Sequence, residues 1–237
     1  MTAQALSPQG TPPPRLGNGF SWAWRTFVKN WLVLIGLAAI IVAINLLQNL
    51  AGTTTSIDAK ECVDAITGAQ AQNCITTYGG YALTSIAILI AGFLLSVLAS
   101  IGLIHAALKL TRGEAAKFSD LWEPEHFWMY LLVTIVFSVC LILGFLCIVG
   151  GVFVLWIWQF CQYSVLDRGK GVRDALGHSF RLVMAHKGLA VVTMIVAAVA
   201  YVVSDLLWGI PGLVLLPYMI LFMSSMYRQF DGQPLAD

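Results

Sequence analysis

Charge is what this chain has least of: Asp, Glu, Lys and Arg make up 11% of its 237 residues. Soluble domains carry about a quarter, so an ordinary water-facing surface cannot be built from this composition. Hydrophobic residues reach 59% and mean hydropathy is +0.82, which places the chain in a bilayer. A net charge of only +1 removes the electrostatic case for nucleic acid. The first thirty residues lack the continuous apolar run of a cleaved signal, so the first apolar run is expected to serve as its own insertion signal. Histidine is sparse as well. His105, His126, His178 and His186 fall in no metal-type spacing, and no nucleophile–base pair stands out. No metal, cofactor or enzyme activity is therefore expected. Glu123, Glu125 and His126 read as a polar collar at an interface. Cys140, Cys147 and Cys161 lie in apolar runs, where cysteine behaves as a small hydrophobe.

What the chain does have is long apolar runs separated by short polar segments. Residues 1–19, rich in Pro and Gly, read as a disordered tail. Phe20, Trp24, Phe27 and Trp31 share one helical face, with Ser21 as N-cap, ahead of a first span over 32–51. Asn45, Gln48 and Asn49 read as its exit to headgroup water. Residues 52–80 read as a polar loop. A second span covers 81–105, in which Gly92, Ser96 and Ser100 repeat every four residues and form a helix-packing seam. The uncharged stretch 127–166 is twice the length of one span, and the break is expected between Gly144 and Gly151. Two further spans, 189–207 and 213–227, flank a Gly-Ile-Pro-Gly break. The fold class is therefore all-α: a polytopic bundle of about six transmembrane helices over 20–230, followed by a polar tail at 231–237.

Twelve of the thirteen Lys and Arg residues fall in the N-terminal segment, the second and fourth connections and the C-terminal tail; only Lys60 falls elsewhere. This asymmetry places both termini in the cytoplasm and the protein in the inner or plasma membrane. On the opposite side, Cys62 and Cys74 share one loop in an oxidising compartment and are candidates for a disulfide. The richest basic segment, 163–188, carries Val172, Leu176, Phe180 and Val183 at helical spacing, with Arg173, Arg181 and Lys187 mostly elsewhere. An amphipathic helix of this kind lies in the headgroup layer on its apolar face. FSWAWRTFVKNW, FSDLWEPEHFW and HSFRLVMAHKG each precede a hairpin, a possible threefold repetition.

Lys29-Asn-Trp31, Lys109-Leu-Thr-Arg-Gly113 with Phe118 to Trp122, Leu143-Gly144, Asp167-Arg-Gly-Lys-Gly171, Asp174-Ala-Leu and Ser179-Phe-Arg-Leu follow one another in order. This series resembles the bacterial six-helix membrane proteins related to the membrane domain of glycerophosphodiester phosphodiesterases. The resemblance implies a six-helix integral membrane fold and carries over no catalysis. Asp205 is the sole acidic residue within a span and lies near its outer end, which gives a transporter little to work with. Gln159 and Gln162 fit either a polar path or interhelical hydrogen bonds. The expected function is thus non-enzymatic: an accessory or scaffold component that binds other membrane proteins or anionic lipids. The alternative is a small transporter or lipid-handling protein. A polar cavity among the helices favours the alternative, and close packing favours the accessory role.

Overall fold

The structure, a computed structural model, describes residues 13–64, 69–117, 126–146, 149–206 and 211–236, and the side chains of these except 49–64, 69–85 and 205. Among the described residues the fold is all-α: α1 (Leu16–Asp64), α2 (Ala69–Thr111), α3 (Phe127–Phe145), α4 (Val149–Trp158), α5 (Cys161–Arg168), α6 (Val172–Ala185), α7 (Lys187–Leu206) and α8 (Gly212–Phe230). Five stretches within them are long and apolar enough to cross a membrane: Leu16–Gln48, Ile86–Thr111, Phe127–Phe145, Val149–Arg168 and Lys187–Ser204. Their outward faces expose Leu32, Leu89, Ile90, Ile142 and Val199. In water such faces would drive aggregation, whereas in lipid they are the natural surface of a helix bundle. The protein is a multi-pass helical membrane protein in a bilayer environment.

α8 is the centre of the bundle. It packs against α1, α2 and α7, and Leu221, Phe222, Met226 and Tyr227 are fully buried. This helix, the expected sixth span, is not among the five apolar candidates, because Ser224, Ser225, Arg228 and Gln229 lower its hydropathy while serving the interior. Contact with α1 is close at Gly19, where a Cβ would lie 2.9 Å from the Met226 sulfur. One residue on, Phe20 stacks on Phe222 with centroids 4.3 Å apart.

Where the reading expected an interfacial helix followed by a span, α1 is one long helix with a kink at Asn30 (φ −121°, ψ 19°). The Asn30 amide donates to the carbonyl of Thr26 at 3.1 Å, closing the bend locally. The expected aromatic face is not uniform: Phe27 is buried, while Trp24 and Trp31 stand exposed. Within the polar loop expected over 52–80, the described residues 52–64 and 69–80 are instead helical, since α1 runs to Asp64 and α2 starts at Ala69. No proline interrupts residues 52–64, so a helix leaving the membrane has no reason to stop there. Cys62 and Cys74 lie on these extensions, among the residues whose side chains are not described.

The break between the third and fourth spans falls between Phe145 and Val149, inside the Gly144–Gly151 window. A Cβ on Gly144 would meet the Gly151 nitrogen at 2.8 Å, and one on Gly150 would meet the Gly144 carbonyl at 2.9 Å. Only glycine permits this backbone approach.

Candidate functional site

At the end of the bundle that carries most of the basic residues, α2, α5, α6 and α8 converge on a buried ionic cluster. Its first centre is Asp167, whose side chain is 3% exposed. It accepts from Arg112 at 2.5 Å and from Arg228 at 3.1 Å through Oδ1, and from the Tyr227 hydroxyl at 3.3 Å through Oδ2. Arg228 also donates through Nε to Thr111 Oγ1 at 3.1 Å. Two arginines around one carboxylate, with a phenol on its second oxygen, supply the partners that a buried charge requires.

The second centre is Asp231, immediately after α8. It pairs with Arg168 and accepts from His178 Nε2 at 3.1 Å and from the Gln233 amide. Burial by itself would raise its pKa, but the His178 hydrogen bond and the Arg168 charge outweigh burial and hold the carboxyl below its ordinary value. Gln233 in turn accepts from Arg228, which links the two centres. Beyond it the chain folds back over the bundle end: Trp22 Nε1 donates to the Ala236 carbonyl at 2.7 Å, and Ala236 N donates to the Thr111 carbonyl at 3.0 Å.

His178 Nδ1 lies 3.2 Å from Ser164 Oγ, so a serine, a histidine and an aspartate stand in line. Acyl-transfer chemistry needs more than this order. Ser164 is fully buried in mid-helix and directs its hydroxyl to the Phe160 carbonyl at 3.1 Å, and the Arg168 guanidinium lies 3.3 Å from the ring nitrogen facing Asp231. The arrangement is a lock joining α5, α6 and the segment after α8. Sequence reasoning missed Asp167, Arg228, Asp231 and Gln233. The available signal was the position of the two acids, one at the end of an apolar run and one just past another.

α6 forms over Val172–Ala185 and is the most amphipathic helix described, but its faces differ from the expected ones. The side buried against protein is Ala175, His178, Ser179, Leu182 and Val183. Val172 and Leu176 are half-buried against the same core. The proposed lipid-facing stripe is thereby corrected: Val183 points inward, and of the four residues only Phe180, at 46%, is well exposed. The physical reason is Ser179. It stitches the break between α4 and α5 by accepting from Phe160 N at 3.2 Å and donating to the Ile157 carbonyl at 2.8 Å. Arg173, Arg181 and Lys187 are exposed.

The glutamines divide the two roles left open for them. Gln159 reaches α7, donating to the Ala190 carbonyl at 3.1 Å and accepting from Thr193 at 3.3 Å. Gln162 faces a cavity of about 320 Å³ between α2, α3, α5 and α8. Ser96, Ser100, Tyr130, Thr134, Gln162 and Tyr163 are its polar walls. Of the expected seam, Gly92 packs against α1, where a Cβ would strike the Gln48 side chain at 2.3 Å, whereas Ser96 and Ser100 face the cavity. Among the polar-collar residues, Glu123 and Glu125 lie outside the described residues. His126 adopts φ 63° and covers Gly169, where a Cβ would meet its Nε2 at 2.3 Å. Asp205 is on α7, with its side chain outside those described. Among the described residues no group of three or more His, Cys, Asp and Glu is arranged to hold a metal.

The fold and cluster define an all-α, multi-pass membrane bundle closed at one end by buried ion pairs. No family model matches the chain, and no solved structure matches it. It is similar to Uncharacterized protein Rv2560 of Mycobacterium tuberculosis, with 25% identity over 255 aligned residues that span 96% of this chain and 75% of that one. Uncharacterized protein Mb2590 of Mycobacterium bovis is similar with the same identity and coverage.

Proposed function

We propose that this is a non-enzymatic protein of the cytoplasmic membrane that acts by contact, binding anionic lipids and neighbouring membrane proteins through its basic end, which faces the cytoplasm. The observation that carries the reading is the division of α6. One face is fixed to the bundle through Ser179 and His178, and the other holds out Arg173, Phe180 and Arg181. A rigid helix presenting basic and aromatic side chains suits the headgroup layer, where each basic residue adds about 1 kcal/mol of attraction to an anionic leaflet. The twelve-to-one distribution of Lys and Arg supports the orientation. The resemblance to glycerophosphodiester phosphodiesterase membrane domains fits a bundle without chemistry of its own. A second reading, lipid handling or small-molecule transport, is favoured by the cavity, whose largely apolar walls carry a few polar groups.

The test is native mass spectrometry of purified protein, comparing retained phosphatidylglycerol in the parent and in an Arg173→Gln/Arg181→Gln/Lys187→Gln variant. Retention should fall roughly tenfold or more, from about 1 kcal/mol per charge removed. Equal retention would remove the basis for the contact reading.

A further inference from the structure

The cavity between α2, α3, α5 and α8 lies inside the membrane-crossing part of the bundle. At about 1.5 Å per helical residue, Ser100 sits about 16 Å and Ser96 about 22 Å from Thr111 at the basic end of α2. Thr134 is about 10 Å along α3 from Phe127 on the same scale. The cavity therefore descends from near the interface towards the middle of the bilayer. Phe93, which lines it, is 42% exposed, so the cavity reaches the lipid-facing surface.

Two features of the walls narrow what fits. None of the lining residues is Asp, Glu, Lys, Arg or His, so an ionised group would enter unpaired and at a high desolvation cost. The walls are mostly apolar, with hydroxyl, amide and phenol groups at a few positions. Gln162 reaches Thr134 only at 3.4 Å, which leaves both side chains with capacity for a further partner. Hydroxyl, phenol and amide groups each both donate and accept, so a ligand hydroxyl can use both capacities against them, whereas a carbonyl can only accept. A volume of about 320 Å³ holds roughly ten groups, taking about 30 Å³ for each. That is enough for the polar end of a lipid whose chains leave past Phe93.

We infer that this cavity binds an uncharged, hydroxyl-bearing glycerolipid of the diacylglycerol type, with its free hydroxyl between Thr134 and Gln162. This site goes beyond the contact reading of the basic end and stands or falls independently of it.

The test uses full-length protein in nanodiscs with a photoreactive diacylglycerol, beside a photoreactive phosphatidylcholine of the same chains, with adducts mapped by mass spectrometry. The diacylglycerol probe should mark the α2 and α3 segments that line the cavity. Thr134→Val, which keeps the shape and removes the hydroxyl, should cut that labelling about fivefold, the weight of one hydrogen bond. Ser100→Phe, which fills the space, should abolish it, and neither variant should alter phosphatidylcholine labelling. If Ser100→Phe lowers the thermal midpoint, Thr134→Val alone decides. Undiminished labelling in Thr134→Val, or equal marking of the cavity by phosphatidylcholine, overturns the assignment.

Discussion

Trp22 in α1 gives its indole N–H to the backbone carbonyl of Ala236 at 2.7 Å, joining positions 214 residues apart. Through this bond, and the one from Ala236 N to the Thr111 carbonyl, the last residues of the chain tie the first helix to the end of the second. The segment after α8 is a structural part of the basic end.

Ending the chain at Phe230 removes both bonds together with the Asp231 and Gln233 contacts. With about 1 kcal/mol net for each of several hydrogen bonds, the loss should be on the order of 3 kcal/mol or more. Thermal unfolding in detergent should show a midpoint lower by several degrees, and limited proteolysis should cut earlier between α5 and α6. An unchanged midpoint would mean that these contacts contribute little.

The two sides of the Asp167 cluster should differ sharply in cost. Asp167→Ala leaves Arg228, whose side chain is only 9% exposed, without its carboxylate, and a broken buried pair costs about 3–5 kcal/mol. Arg112, at 40% exposure, is a surface partner worth about 0–1 kcal/mol. Equilibrium unfolding of Asp167→Ala and Arg112→Ala in the same detergent compares them directly. Equal losses would contradict the burial of this cluster.

Composition and spacing made the helical class legible, along with the α3–α4 break at its glycines. These features are local: hydropathy over a span's length and a pair of glycines. The ionic cluster was not legible, because Asp167, Arg228 and Asp231 meet only through tertiary packing, and one-dimensional spacing carries no record of it. The face of α6 was misjudged for the same reason. Helical periodicity shows that the helix has two faces, but the hydroxyl of Ser179 and the ring of His178 decide which one meets protein. A polar residue on an apolar helix can mark the buried side when its partner is another buried polar group.

Stability should also fall with acid in two windows. His186 lies against Phe230, with centroids 4.8 Å apart, and burial lowers its pKa from the ordinary 6.5. The unfolded chain thus takes up that proton first, and stability is full above about pH 6.5 and declines as pH drops below it. Asp231, held below the ordinary 3.8, adds stability that is present above that value and lost as pH falls through its folded pKa. Unfolding midpoints from pH 8 to 3 check both. His186→Phe should flatten the upper window and leave the lower one, and a midpoint independent of pH would contradict both assignments.

In the proposed function α6 rests in the headgroup layer with Phe180 towards lipid and Val183 towards protein. Nitroxides placed singly at Phe180→Cys and Val183→Cys, in a parent with its native cysteines replaced and reconstituted in anionic bilayers, test it by electron paramagnetic resonance. The label at 180 should be relaxed by oxygen from the lipid and shielded from a water-soluble nickel reagent. The label at 183 should be immobile and shielded from both. A label at 180 that is open to the nickel reagent and closed to oxygen would contradict it, leaving α6 in water with no role at the membrane surface.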